Sequence, residues 1–166
     1  AYSQDIILFD KKRGTGESIW DIKKHIGYIS SEMHLFFRED QSCLKIVASG
    51  FYDTIGLFRK PKDEHNELAI EWMKLFGIDH LANQSFLKVS GGEQRLILLC
   101  RTMVKNPDLL ILDEPLHGLD MENKKRARKI IEKFAEQPDK TMIYVTHREE
   151  EIPSCVNHHF ELLRLN

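Results

Sequence analysis

Residues Leu109–Leu119 read LLILDEPLHGL. Four aliphatic residues end on two adjacent carboxylates, Asp113 and Glu114. An unpaired carboxylate in an apolar interior is costly, so a buried strand here must open at its end onto a polar site or a cation. The neighbouring segments supply the frame. Upstream, Gly91–Lys105 places Leu96, Leu99, Cys100, Met103 and Val104 on one side of a helix that stops at Asn106-Pro107. Downstream, Glu122–Glu136 reads as a helix with Ile130, Ile131 and Phe134 inward, followed by the apolar run Met142–Val145. Strand, helix and strand in alternation predict a parallel α/β sheet with flanking helices.

The first half is organised differently. Glu64–Phe76 carries Leu68, Trp72, Leu75 and Phe76 at helical spacing and closes on Gly77. Residues 40–105 therefore read as an inserted α-helical subdomain, between partial core strands in 1–39 and the rest of the core in 106–166. Ile6–Phe9 is a short apolar run, Lys11–Glu17 a turn, and Ile26–Ile29 a second strand, together expected to form a hairpin-like edge.

Bulk properties exclude several classes. A formal charge of −2 over 166 residues gives no electrostatic basis for non-specific nucleic-acid binding. The three widely spaced cysteines, Cys43, Cys100 and Cys155, form no CxxC pair and favour reduced thiols. Apolar runs fall far short of the ~20 residues a membrane helix needs.

Parallel sheets bind ligands beyond the carboxyl ends of their strands. Asp113 and Glu114 lie at one such end, and His147, directly after the Met142–Val145 run, lies near another. An acid after four aliphatic residues suits a nucleotide-triphosphatase magnesium site, since Mg²⁺ takes oxygen ligands and keeps several waters. The next Glu could polarise the attacking water, and the His could contact a terminal phosphate. Val89–Glu93 reads VSGGE at the start of the Gly91 helix. Its glycines let the backbone approach a phosphate, and a helix N-terminus offers free N–H groups. Each piece has a plainer counterpart: acids commonly follow strands, and Ser90 could simply cap its helix.

Order and spacing decide between these readings. Ser90 precedes Asp113 by 23 residues, Gly118-Leu119-Asp120 follows shortly, and His147 comes 34 residues after Asp113. Over nearly its whole length the chain resembles the ATP-binding cassette ATPases of the ABC superfamily: VSGGE resembles the LSGGQ signature, LLILDEP the Walker B strand, HGLD the D-loop and YVTH the switch-histidine motif. The resemblance implies a P-loop ATPase core using ATP and Mg²⁺. In it Asp113 organises Mg²⁺, Glu114 activates water and His147 senses the γ-phosphate. Ser90, Gly91, Gly92 and Glu93 face ATP held by a second cassette, in the same chain or a homodimer, and Asp120 lies at the seam. Gly14–Lys24 and Ile26–Ser31 are similar to the second cassette of soluble double-cassette proteins associated with molybdenum transport. That implies a cytoplasmic protein, peripheral to the inner face of the membrane where it meets permease subunits.

Three departures qualify the resemblance. The phosphate-cradling G-x-x-x-x-G-K-[ST] is absent, because no Gly is followed by Lys. In the family that motif lies upstream of this stretch, so the expected core is incomplete, the chain is expected to be the C-terminal part of a longer protein, and alone it is expected to be inactive. Ser30-Ser31 stand where the family has a Gln touching Mg²⁺, which leaves Ser31 as a shorter-reaching substitute. Glu93 replaces the signature Gln, placing a carboxylate where an amide would suit a phosphate better. Two alternatives stay open: a degenerate regulatory cassette that completes a partner's ATP site, and a non-transport ATPase acting on nucleic acid or ribosomes. Remaining features take structural readings. His158-His159 on a strand would point to opposite faces rather than bind metal. Lys124–Lys129 (KKRARK) reads as a solvated helix face. Phe36-Phe37 and Phe51-Tyr52 read as packing, with a docking patch as the rival.

Overall fold

The computed structural model describes residues 7–9, 11–12, 16, 18–57 and 60–161. Strands β3 (Ile26–Ile29), β4 (Leu109–Asp113) and β5 (Thr141–Val145) form a parallel sheet in the order β3-β4-β5. Ile26 pairs with Leu109 and Leu109 with Thr141, so the carboxyl ends of all three strands lie on one edge. This is the parallel α/β core that the alternation of runs predicted. The expected hairpin edge takes another form. Strand β1 (Ile7–Leu8) pairs antiparallel with β2 (Lys11–Lys12), while β3 joins β4. Lys11-Lys12 thus belong to a strand, and α1 (Ile19–Lys24), capped by Ser18, stands between the two sheets. A β-branched apolar run such as Ile26–Ile29 pairs with whichever strand covers both its edge and its face, and only the fold supplies that partner. Ile6, Arg13–Thr15 and Glu17, parts of the expected run and turn, lie outside the described residues.

Between β3 and β4 come α2 (Cys43–Ala48), α3 (Asp63–Phe76) and α4 (Gly91–Met103). Helix α4 is the centre of the molecule. Leu96, Ile97, Leu98, Leu99, Cys100 and Met103 are all buried, so it is apolar nearly all round rather than on one face. It lies directly on β3: Thr102 Oγ1 donates to Leu98 O at 2.8 Å and contacts Tyr28 O at 3.2 Å. A Cβ on Gly27 would stand 2.8 Å from both Thr102 O and Pro107 Cγ, so this approach requires glycine. Helix α3 departs in part from its expected face, since Phe76 is buried and Trp72 packs against the core as expected. Ala69, Met73 and Phe76 are buried, whereas Leu68 and Leu75 are exposed, Leu75 by 61%. The same 3.6-residue period fits both stripes, and packing against α2 and α4 selects the one that runs through Ala69, Met73 and Phe76. Gly77 then closes α3 at φ +70°, as its position suggested.

Helix α5 (Met121–Ala135) buries Ala127, Ile131 and Phe134 against the same continuous core, with Ile130 partly buried. The Lys124–Lys129 run is not simply solvated. Lys124 Nζ bonds Glu151 Oε1 at 2.7 Å, Arg126 reaches Glu122 and the Phe76 carbonyl, and Arg128 donates to the Glu150 carbonyl. His158 and His159 lie in irregular chain rather than on a strand, with His158 Nδ1 2.9 Å from Asn157 Oδ1. Phe37 is buried and Phe51 packs against the core, while Phe36 is exposed. All three cysteines are free thiols. Among the described residues no helix is long and apolar enough to cross a membrane.

Candidate functional site

The carboxyl edge of the sheet is built from strand ends and one buried cation. Asp113 is the last residue of β4, and Glu114 turns out of it at φ 50°, a left-handed conformation uncommon for a non-glycine residue. Glu114 N–H still donates to Val145 O at 2.9 Å, so the turn stays attached to β5. Glu114 Oε1 accepts from the backbone N–H of His147 at 3.0 Å and from His147 Nδ1 at 2.5 Å. A carboxylate only accepts, so Nδ1 carries the proton and Nε2 is left toward solvent. Burial pushes the Glu114 carboxyl up, but the two hydrogen bonds from His147 and the charges of His147 and His117 outweigh it and hold it below its ordinary value. The carboxylate of Asp113 makes no hydrogen bond or ion pair among the described residues, so its oxygens are free for a cation or for water.

Arg95 holds this edge together. It projects from α4, is 7% exposed, and spends its guanidinium on carbonyls: Nε to Pro115 O at 3.3 Å, NH1 to Ser30 O, NH2 to Asp113 O at 2.9 Å and to Glu114 O. Burial lowers its pKa, and the neighbouring Asp113 and Glu114 charges oppose that shift. The planar fork ties the end of β3 to the end of β4 and to the turn that presents Glu114.

The expected site residues fall into three groups. Asp113, Glu114 and His147 come together at the sheet edge. Ser31, Gly91 and Gly92 line one cavity of about 260 Å³ with His34, Gln94, Arg95, His117 and Gly118. A Cβ on Gly92 would lie 3.3 Å from Gly118 O, so the start of α4 and the turn before α5 are in near contact. Ser90 and Glu93 turn toward each other. Glu93 Oε2 accepts from Ser90 N–H and from Ser90 Oγ–H, each at 2.7 Å, and Glu93 N–H donates to Ser90 Oγ at 3.3 Å. This capping box is the plainer reading of VSGGE, and it uses the carboxylate that replaces the amide. Asp120 caps α5 in the same manner, accepting from Asn123 N–H at 2.9 Å and Asn123 Nδ2 at 2.7 Å, which hold its carboxyl low.

Sequence reasoning missed Arg95, His117 and His34. Arg95 had a signal, a lone cation entering an apolar helical run (RLILLC). His34 had none, and His117, although it opens the HGLD motif, is brought to one cavity with His34 only by the fold.

One free carboxylate, Asp113, suits a hard cation that keeps most of its waters. Among the described residues no group of three or more His, Cys, Asp and Glu forms a metal cage. A lone carboxylate at a strand end is a donor that Mg²⁺ carried with a phosphate ligand could use.

Residues 1–117 match the family model described as ABC transporter, and the chain belongs to that family as an ABC ATP-binding cassette. It is 41% identical over 163 residues to the ABC transporter ATP-binding protein ModF of Escherichia coli (strain K12), covering 98% of this chain and 33% of that protein. It is also 32% identical over 136 residues to the molybdenum import ATP-binding protein ModC of Pseudomonas savastanoi pv. phaseolicola (strain 1448A / Race 6), covering 82% of this chain and 35% of the relative. The chain thus spans about a third of the length of these relatives. Among solved structures, an ATP-binding cassette in a dimeric, post-hydrolysis state bound to ADP and Pi matches with a TM-score of 0.70 at 20% identity. That match covers 89% of this chain and 64% of the other, and it establishes the fold.

Proposed function

We propose that this chain is part of an ATPase that binds Mg-ATP between two cassettes and hydrolyses it there. The observation that carries the reading is the Glu114–His147 pair, held at 2.5 Å beside the unpaired Asp113 carboxylate on the carboxyl edge of a parallel sheet. Asp113 would hold Mg²⁺, whose role is to neutralise phosphate charge. Glu114, kept ionised by His147, accepts a proton from the attacking water at Oε1, the oxygen that also meets His147, since Oε2 is buried. His147 contributes its outward Nε2 to the terminal phosphate. Ser90, Gly91 and Gly92 offer a hydroxyl and backbone amides to nucleotide on the second cassette, Ser31 reaches the metal's water shell, and Asp120 lies at the seam. Helical residues 40–105 carry the Ser90 motif between core parts 1–39 and 106–166. The Ser90–Glu93 box means that Glu93 must release the Ser90 hydroxyl before a phosphate can take it.

Relatives named for molybdenum and molybdate import support a link to molybdate transport. On that reading the protein works on the cytoplasmic side, with permease subunits as further partners. The test has two parts. Calorimetry of residues 1–166 with Mg-ATP, against Asp113→Ala, is expected to give at most millimolar binding, because no P-loop lies in this stretch. Micromolar binding that Asp113→Ala abolishes would contradict that expectation. In the product of the full reading frame, Glu114→Gln is expected to reduce ATP turnover by two orders of magnitude or more, on the order of general-base contributions. Undiminished turnover would overturn the assignment of Glu114.

A further inference from the structure

Three buried side-chain oxygens near the sheet edge have no hydrogen-bond partner: Glu114 Oε2, Tyr144 Oη and Glu151 Oε2. An unsatisfied buried polar atom costs about 1–3 kcal/mol, so three of them call for a physical account. The strand register and mutual electrostatics relate them. Tyr144 pairs with Leu112 in the β4–β5 register and extends, like Leu112, toward the helix-covered face. Glu114 follows Leu112 by two residues and is tied to β5 through Val145 O. Glu151 sits in the turn Glu149–Glu151, 3% exposed, with its other oxygen held by Lys124 of α5 and Arg148 NH1 at 3.8 Å. Burial, then the Glu151 charge, then that of Glu114 push the Tyr144 hydroxyl well above its ordinary value, against Arg128 and Arg95. Tyr144 is therefore a neutral phenol that lies in the field of both carboxylates and has a proton to donate.

We infer that these residues enclose an ordered water site behind Glu114, through which Tyr144 and Glu151 act as positioning residues for its carboxylate. The hydrogen-bond inventory closes with water. It accepts from Tyr144 Oη and donates one proton to Glu151 Oε2 and one to Glu114 Oε2, which satisfies all three orphans. A cation would satisfy the carboxylates and leave the phenol proton without an acceptor, and Lys124 already balances Glu151. With Oε1 fixed by His147 and Oε2 fixed by the water, the plane of the Glu114 carboxylate is set from both sides. The link also runs to α5, because Lys124 belongs to the helix that Asp120 caps. The functional weight of this site rests on the reading of Glu114 as the base, but its existence does not.

The experiment uses the 166-residue chain and needs no turnover. Magnetic relaxation dispersion of the water oxygen counts long-lived internal waters in wild type, Tyr144→Phe and Glu151→Gln. Infrared spectra near neutral pH follow the carboxylate band that disappears in Glu114→Gln. Tyr144→Phe is expected to lose one long-lived water and shift the Glu114 band, while Glu151→Gln, which preserves shape, shifts the band with the chain still folded. An unchanged water count together with an unmoved Glu114 band in both variants overturns the inference. So does a high-resolution crystal structure in which Tyr144 Oη bonds Glu151 directly with no water between them. Failure of the ATPase assay leaves these readouts intact, so the two readings fail separately.

Discussion

Replacing Arg95 with Met should be among the most damaging single changes at the site, although Arg95 has no assigned chemical role. Met preserves most of the stem volume and removes the guanidinium. Four carbonyls, of Ser30, Asp113, Glu114 and Pro115, then lose a charged donor at once. Hydrogen bonds to charged groups contribute about 1.5–3 kcal/mol each when counted singly. Here they share one cation whose own burial is unfavourable, as its lowered pKa records. The net loss is therefore well below four times that figure, and leaving two or so of these carbonyls unsatisfied costs about 3–5 kcal/mol in total. Against a domain stability of about 5–15 kcal/mol, this is a large fraction. Urea denaturation followed by far-ultraviolet circular dichroism measures it. With a slope of about 1–3 kcal/mol/M, the midpoint should fall by about 2 M at constant slope. Arg95→Lys should recover only part of the loss, because a compact ammonium cannot span carbonyls on two strand ends and the Pro115 turn. A midpoint within about 0.3 M of wild type for Arg95→Met, or full recovery by Lys, would refute the bracing argument.

Other expectations follow from single contacts. Gly50→Ala places a Cβ 2.2 Å from the Arg101 carbonyl, a backbone atom that cannot swing away. It should destabilise by about 3 kcal/mol in the same assay, and a neutral effect would mean that the turn Ser49–Tyr52 separates easily from α4. Ser90→Ala removes the α4 cap and should cost about 1 kcal/mol. Because Ser90 and Glu93 share one box, the Ser90→Ala and Glu93→Gln effects should be non-additive in a double-mutant cycle, and additive values would show that the box does not form in solution. The Glu114 carboxyl is held below its unfolded value, so its proton-linked stabilisation is present above the unfolded pKa and is lost as pH falls through the lower folded pKa. The stability gap between wild type and Glu114→Gln should accordingly narrow on acidification in pH-resolved urea titrations. A gap that widens toward acid would reverse the sign of the assignment.

The sequence by itself determined the elements whose signals are local. An aliphatic run ending in acids makes a strand that must open at its end, and Leu109–Asp113 does so. Ser90 before a helical run makes a cap, and Gly77 ends a helix because it can take φ +70°. The alternation of runs along the chain also sufficed for the parallel core, and the resemblance of its motifs to known ones sufficed for the family. The tertiary structure decided what depends on distant partners. The 3.6-residue period of α3 fits two stripes, and contact with α2 and α4 selected Ala69, Met73 and Phe76 over Leu68 and Leu75. The pairing of β3 with β4 rather than with the first strands is a choice between edges that no local pattern encodes. Arg95 looks like any helix cation until four carbonyls from three segments converge on it. Tyr144, Glu114 and Glu151 come within one another's electrostatic reach only when β4, β5 and the turn beyond them are brought together. Local propensity is written residue by residue, whereas burial and electrostatic pairing are properties of positions that only the folded chain defines.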